Sequence, residues 1–420
     1  MLKANHMSKF EHISVKGFRR LQDIDLEMRD LTVMIGANGA GKTSFLDVLS
    51  VLAASANGRL HETLQNKGGL NEILTRGKAQ ELEIALSIGI LDQGTLNYNL
   101  AISPKNLSYE IRNETLVLQP SARRKAREEL IIQHAQRRKI VIEGKDLKLT
   151  EPKIEQKIEK LLKFIDSHGL DIKYFKKGAS LIPNWEHNYL ETSLSQVPKM
   201  YLEPENLRKS LASCTYYGAL DVSEKSPVRL PQPMRPAKLP GARGEDLVSC
   251  LYDLRETDRD RFEMVESIIS AAFPDFERLN FPPVAAGIIS MTWTDRNFSQ
   301  PIYVHELSEG TLRFLWLIAL LQSQNLTTIT LLDEPEVSLH PELLRHLVYL
   351  MREAAKHTQL IVATHSDRLI RFLEPREVLV CDLEEGMAKM TWADTMNLDK
   401  WLEDYTLDEV WAMNVIGGRP

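Results

Sequence analysis

The run Gly36-Ala37-Asn38-Gly39-Ala40-Gly41-Lys42-Thr43 has the residue types and spacing of a loop that cradles phosphates. Its glycines let successive backbone N–H groups turn inward around phosphate oxygens, and the helix that follows adds the positive end of its dipole. Lys42 is then the charge that reaches the β- and γ-phosphates, and the Thr43 hydroxyl is a ligand for Mg²⁺. Gly36, Asn38, Gly39, Gly41, Lys42, Thr43 and Ser44 form the expected nucleotide-contacting set. A chance glycine turn is disfavoured by the apolar run LTVMI before the loop and the helical pattern after it.

A second constellation lies near the other end of the chain. Thr328-Ile-Thr-Leu-Leu-Asp333-Glu334 is a β-rich apolar run that ends in two carboxylates. A parallel strand delivers its C-terminal residues to the ligand edge of its sheet. Asp333 suits the Mg²⁺ shell there, and Glu334 suits the base that takes a proton from an attacking water. Alone, such a strand end reads equally well as a surface turn; beside a phosphate loop it gains chemical meaning.

These groups need a framework, and the chain is long enough to supply it. At 420 residues, with 43% hydrophobic and 26% charged residues, it has a globular composition with room for more than one domain. Cys214, Cys250 and Cys381 have no paired spacing, which excludes a disulfide framework and a cysteine-rich metal site and fits a reducing compartment. The first residues lack the apolar core of a signal peptide, and Met1 and Met7 both stand as possible starts. The longest apolar stretch, around Phe314 to Leu321, is too short to span a bilayer, so a cytoplasmic protein without membrane association is expected. A net charge of −6 gives no global case for nucleic acid.

Alternation around Ile13 and Val15, and again at Ile24, Leu26 and Met28, predicts two strands joined near Gly17 to Arg20. Leu31 to Ile35 reads as a buried strand and Thr43 to Ala56 as a helix. Glu81 to Leu118 alternates between turn signals and reads as an antiparallel meander. Ile154, Ile158, Leu161, Leu162 and Ile165 share one face at helical spacing, with KIVIEGKDLKLT before them as a candidate hairpin. Ser226 to Gly244 is proline-rich and free of acids, which predicts an extended connection. Helices are expected from Glu245 to Arg278, and then strands at Ile329–Leu332, Leu360–Ala363 and Val378–Val380.

Between these strands lie three further phrases. Leu307-Ser308-Glu309-Gly310-Thr311-Leu312-Arg313 opens an apolar helix with Ser308 as a good N-cap. Val337-Ser338-Leu339-His340-Pro341 follows the Asp-Glu pair, and Ala363-Thr364-His365-Ser366 ends the next strand. The ordered set resembles the RecF/SMC-like ABC ATPases, and among them stand-alone bacterial ATPases similar to the ATPase half of OLD-family nucleases. The likeness covers roughly the first 120 and last 175 residues, much of it through the motifs. In that resemblance the heptapeptide is the ABC signature, with Glu309 where transporters carry glycine. Ser308 and Gly310 of one copy would touch the γ-phosphate held by the other. Val337–Pro341 would be the D-loop, and His365 the switch histidine that senses the γ-phosphate. Gln65 is the candidate for the family's loop glutamine, without a firm anchor around it. Phe18 or Arg19 is the candidate to pack on the nucleotide, with core and solvated roles equally open.

The expected fold is thus α/β: an ABC-type P-loop ATPase head with an antiparallel β subdomain and a mainly helical insertion. The N-terminal half of the head is expected at 7–120, the insertion at 121–244 and the C-terminal half at 245–420. The resemblance implies ATP and Mg²⁺ as ligands, a homodimer closed around ATP, and hydrolysis organised by Glu334, His365 and Lys42. It further implies a conformational switch in DNA-related or anti-phage work, with duplex DNA or a separately encoded nuclease as partners. In the insertion, Arg123, Arg124, Lys125, Arg127, Arg137, Arg138 and Lys139 read either as a phosphate-contacting cluster or as a solvated face. An intrinsic OLD-like nuclease is disfavoured because a further catalytic domain of roughly a hundred residues does not fit after His365. A transporter subunit is disfavoured by Glu309 and by the length of the insertion.

Overall fold

The computed structural model describes residues 9–90, 92–126, 162–176, 179–183 and 185–418. The chain divides into two units, one drawn from Met1–Met28, Asp47–Cys214 and Glu384–Ala388, the other from Arg29–Leu46, Thr215–Leu383 and Lys389–Pro420.

The first unit is built on an eight-stranded antiparallel sheet. Its strands are β1 (Lys9–Phe18), β2 (Leu21–Glu27), then, after β3 (Leu31–Ile35) of the other unit, β4 (Leu82–Ile90), β5 (Gly94–Lys105), β6 (Ser108–Pro120), β7 (Lys163–His168), β8 (Asp171–Lys176) and β9 (Ala179–Leu181). They lie in the order β2-β1-β4-β5-β6-β7-β8-β9. The predicted meander is therefore the centre of this sheet, and its period of two puts Leu82, Ile84, Leu86 and Ile88 on the buried face.

One expectation is corrected here. Ile165, read as part of a helical face, lies in β7 opposite Leu116, fully buried. Long strand β6 would otherwise present an open ladder of N–H and C=O groups, and pairing with it outweighs the local helical spacing. Ile154, Ile158, Leu161, the candidate hairpin, Arg127, Arg137, Arg138 and Lys139 lie outside the described residues. Within 121–244 the described residues supply three strands to this sheet, the helix Leu202–Ala212 and, to the second unit, β10 (Thr215–Tyr217), the 3-10 turn Pro227–Arg229 and the short strand Gln232–Pro233.

A buried carboxylate holds the first unit's long loop. Glu114 is fully buried and accepts from Tyr98 Oη at 3.0 Å, Leu194 N at 2.9 Å and Ser193 N at 2.5 Å. Burial pushes its proton affinity up against the pull of those donors. Nearby Glu191 accepts from the amides of Leu60 and His61 and so caps the helix Leu60–Asn66.

The second unit carries a six-stranded sheet in the order β10, Ile329–Asp333, Gln359–Ala363, β3, Val378–Glu384 and Met387–Trp392, the first five mutually parallel. Its central strands are continuous apolar runs because both faces are covered. Register sets Asp333 beside Ala363 and Ala363 beside Met34, so three strands end abreast. The helix Glu309–Leu321 is buried around nearly its whole girth, including Phe314, Leu315, Trp316 and Leu317. At about 2 kcal/mol for each large apolar side chain, its place is firmly fixed.

The proline-rich run is also more than a loose connection. Gln232 is buried and bonds to the Pro227 and Gly244 carbonyls and to the Val248 amide. Trp316 Nε1 donates to the Gly241 carbonyl at 2.8 Å, and Ser323 Oγ to the Lys238 carbonyl at 2.7 Å. Prolines remove donors from this strap, and glutamine and tryptophan side chains satisfy its carbonyls instead. Helices run over Leu247–Thr257 and Arg259–Ala272, but Phe276–Arg278, expected to be the end of the helical run, lies in the strand Phe276–Asn280, paired with Thr292–Asp295. Among the described residues no helix is long and apolar enough to cross a membrane.

Replacing Glu114 by Gln sets an amide N–H against a backbone N–H. Chemical denaturation should show a loss of about 3 kcal/mol, against under 1 kcal/mol for a change at exposed Glu62.

Candidate functional site

The three abreast strand ends gather most of the residues singled out in the sequence. Gly36 leaves β3 with φ 149°, and Gly39 and Gly41 follow with φ 79° and 103°. Gly36 is indispensable for a steric reason: a Cβ there would lie 2.0 Å from the Cys381 carbonyl oxygen. Gly418 packs on the same spot, its own Cβ position 3.3 Å from Gly36 Cα. Asn38 and Gly39 form the exposed tip of the loop, and Thr43 and Ser44 open the helix Lys42–Ala56 with Thr43 exposed.

Lys42 folds back over this loop. Its Nζ donates to the Gly36 carbonyl at 2.5 Å and the Ala37 carbonyl at 3.0 Å, and lies 3.3 Å from His365 Nδ1. It is 4% exposed, and burial lowers its pKa against the raising influence of Cys381, Glu334, Asp333 and Glu336. No carboxylate among the described residues comes within ion-pair distance of it. A buried cation solvated by carbonyls fits an anionic ligand, which restores the charge balance that burial removes.

Glu334 stands one residue past its strand with φ 50°, held by its amide donating to the Ala363 carbonyl at 2.8 Å. A positive φ at glutamate is strained, and the neighbouring strand end fixes it. Its Oε1 is 3.6 Å from His365 Nε2, so the imidazole bridges Lys42 and Glu334. Burial first, and then the Lys42 charge, lower the His365 pKa, so the ring is neutral at neutral pH. Asp333 is half-buried and accepts from Tyr216 Oη at 2.8 Å through Oδ2.

Two polar residues at this edge carried no sequence signal. Tyr216 comes from β10, a three-residue strand with no motif around it. Glu336 accepts a hydrogen bond from Thr364 Oγ1, while its Oε2 is buried without a partner. Burial, and the neighbouring Glu334 charge, push its pKa up. Thr364 also accepts from the Ser366 amide at 3.0 Å, so Glu336 ties the loop after Asp333 to the loop of His365. The only available hint was the Glu itself within DEPE, indistinguishable in sequence from a solvated turn residue.

Ser308 and Gly310 are placed differently. Ser308 caps the helix Glu309–Leu321, accepting from the Thr311 amide at 3.2 Å, and its hydroxyl meets that of Thr311 at 2.8 Å. A Cβ on Gly310 would lie 2.7 Å from the Ser338 carbonyl, so this glycine has a packing reason within its own chain. Among the described residues no hydrogen bond joins either residue to Lys42, Asp333 or Glu334. In the first unit, Phe18 is fully buried, Arg19 pairs with Asp47 at 2.6 Å, and Gln65 bonds to His61 one turn back.

The donor set suits a magnesium nucleotide: a hydroxyl at Thr43, a carboxylate at Asp333 and a buried cation at Lys42. Cys381 lies beneath, its thiol pushed up to about 12 by burial and therefore inert.

Residues 31–371 match the family described as "AAA domain, putative AbiEii toxin, Type IV TA system". No curated protein matches the chain in sequence. An SMC head bound to the C-winged helix domain of ScpA is similar in fold at TM-score 0.54 and 12% identity, over 91% of this chain and 97% of that one. An SMC head with an extended coiled coil, bound to the C-terminal domain of ScpA from Pyrococcus furiosus, gives 0.47 and 12% over 95% and 100%. The SMC head domain from Thermotoga maritima gives 0.41 and 12% over 91% and 98%. The first of these shows the ABC-type ATPase head fold that the motif order led us to expect.

Two substitutions separate architecture from ligand binding at this loop. Gly36→Ala should cost about 3 kcal/mol or more in thermal or chemical unfolding. Lys42→Ala should leave stability within about 1 kcal/mol, because it removes an unpaired buried charge, yet weaken ATP binding on the order of a hundredfold by calorimetry.

Proposed function

The chain belongs to the family described as AAA domain, putative AbiEii toxin, type IV toxin–antitoxin system. From that premise we propose that it binds and hydrolyses ATP and that two copies close around the nucleotide. The observation that carries this reading is the His365 ring lying between Lys42 and Glu334 at the common edge of three parallel strands.

On this reading the triphosphate lies along the loop Gly36–Thr43, with Asn38, Gly39, Gly41 and Ser44 against it, and Lys42 swings from the loop carbonyls to the β- and γ-oxygens. Thr43 and Asp333 would hold Mg²⁺, whose charge when bound offsets that on the phosphate oxygens. A water attacks the γ-phosphorus as the bond to the β,γ-bridging oxygen breaks, and Glu334 accepts the water's proton; ADP and phosphate leave. Neutral His365 has a single N–H, which faces Glu334 in the free site and turns to the γ-phosphate once the nucleotide is bound. Before nucleotide binds, burial and then the Lys42 charge lower the ring's proton affinity.

Ser308 bonds to Thr311, Gly310 packs against Ser338, and among the described residues neither is hydrogen-bonded to Lys42, Asp333 or Glu334, which supports a role across the dimer. Opening and closing of the two heads then serves as the output, relayed to a separate effector in DNA-related or anti-phage work. The family description, which names a toxin of a type IV toxin–antitoxin system, supports a defence setting over solute transport. Cys214, Cys250 and Cys381 are free thiols, which supports a reducing, cytoplasmic location. Exposed Arg123 and Lys125 leave duplex DNA as a candidate trigger.

ATP turnover by the purified chain tests this, with Glu334→Gln as the comparison. The variant should bind ATP normally and turn over on the order of a hundredfold or more slowly. Wild-type turnover in that variant removes Glu334 from the role. Acceleration of the parent by duplex DNA identifies the trigger as DNA, and indifference to it points to a protein.

A further inference from the structure

Two residues outside every motif touch the two halves of the proposed reaction, and one strap carries both. Tyr216 sits on β10, paired in register with Leu331. Alternation along a strand puts Leu331 and Asp333 on one face, so the phenol opposite Leu331 reaches the Asp333 carboxylate. A carboxylate at a strand end rotates freely unless held, and the Tyr216 hydroxyl fixes Oδ2 while leaving Oδ1 to other partners.

Arg229 fastens the next part of the same run. Its Nε donates to the Val222 carbonyl at 2.7 Å, and its Nη1 to the carbonyls of His305 at 2.8 Å and Leu307 at 2.9 Å. Leu307 directly precedes Ser308. One guanidinium thus binds the strap to the loop that presents the signature serine, using the rigid fork that distinguishes arginine from lysine. Val228 beneath it is fully buried, and Gly244 closes on Val228, where a Cβ would come within 2.7 Å. Between its two attachments the strap has buried anchors at Leu220 and Val222, which make this run a packed element rather than a free loop.

We propose that Tyr216 and Arg229 are positioning residues for ATP hydrolysis, and that the strap between them couples the metal-facing carboxylate of a protomer to the signature serine the same protomer offers its partner copy. This rests on the ATPase dimer reading above and adds the path by which one nucleotide site informs the other.

The test uses the full chain carrying Glu334→Gln, to which Tyr216→Phe or Arg229→Gln is added. ATP affinity is measured with EDTA and with Mg²⁺, and ATP-dependent dimerisation by sedimentation. Affinity in EDTA equal to the parent's reports intact folding; should Arg229→Gln fail that control, Arg229→Lys replaces it. Tyr216→Phe should lose on the order of tenfold of the Mg²⁺-dependent gain in affinity, the worth of one hydrogen bond to a charged group. Arg229→Gln should bind Mg²⁺ and ATP like the parent yet dimerise on the order of tenfold more weakly. Coupling further requires Tyr216→Phe to weaken dimerisation even when saturated with Mg²⁺ and ATP. An unaltered Mg²⁺ gain in Tyr216→Phe, or unaltered dimerisation in either variant, overturns the proposal while the ATPase reading stands. A parent with neither Mg²⁺-dependent binding nor a dimer overturns both.

Discussion

Three parallel strands held in one register decide where every reactive group stands. Because Asp333 pairs beside Ala363 and Ala363 beside Met34, the phosphate loop, the Asp-Glu pair and the histidine loop leave the sheet side by side. A slip of one residue would turn each strand's side chains to the opposite face and part Lys42 from His365 and Glu334. The fully buried runs of β3 and Gln359–Ala363 enforce the register, since a slip would force side chains of different size to repack on both covered faces. The strain at Glu334 and the close approach of Gly36 to Cys381 are local consequences of this constraint.

Within that frame the electrostatics are unbalanced. Lys42 is buried with carbonyls for company, His365 is held neutral beside it, and Glu336 keeps a buried oxygen without a partner. A fold seeking stability alone would pair or delete such groups. Their persistence at one edge marks the place where a polyanion and its counterion belong. The first unit treats its buried acid differently, giving Glu114 three donors and leaving none of its oxygens idle.

Much of this was legible in the chain because the motifs report local physics. Glycine spacing announced the positive φ values, apolar continuity announced doubly covered strands, and Ser308 announced a cap that the structure contains. What escaped depended on distant partners. Ile165 looked helical until the open ladder of β6 claimed it. The prolines of Ser226–Gly244 suggested a loose connection, since nothing local shows that Gln232, Trp316 and Arg229 would satisfy its carbonyls or anchor it to the signature loop. Tyr216 and Glu336 gain meaning only from parallel pairing and from Thr364, which sequence spacing does not encode.

The central claim is that each ATP site is completed by the signature of a second copy, and complementation measures it most directly. Lys42→Ala lacks a working phosphate loop but keeps its signature; Ser308→Arg has the converse defect. Each should be inactive alone, and mixing them should restore ATP turnover, because a mixed dimer holds one intact composite site. Mixtures as inactive as their parents, at concentrations where the unaltered chain turns over ATP, would contradict the account.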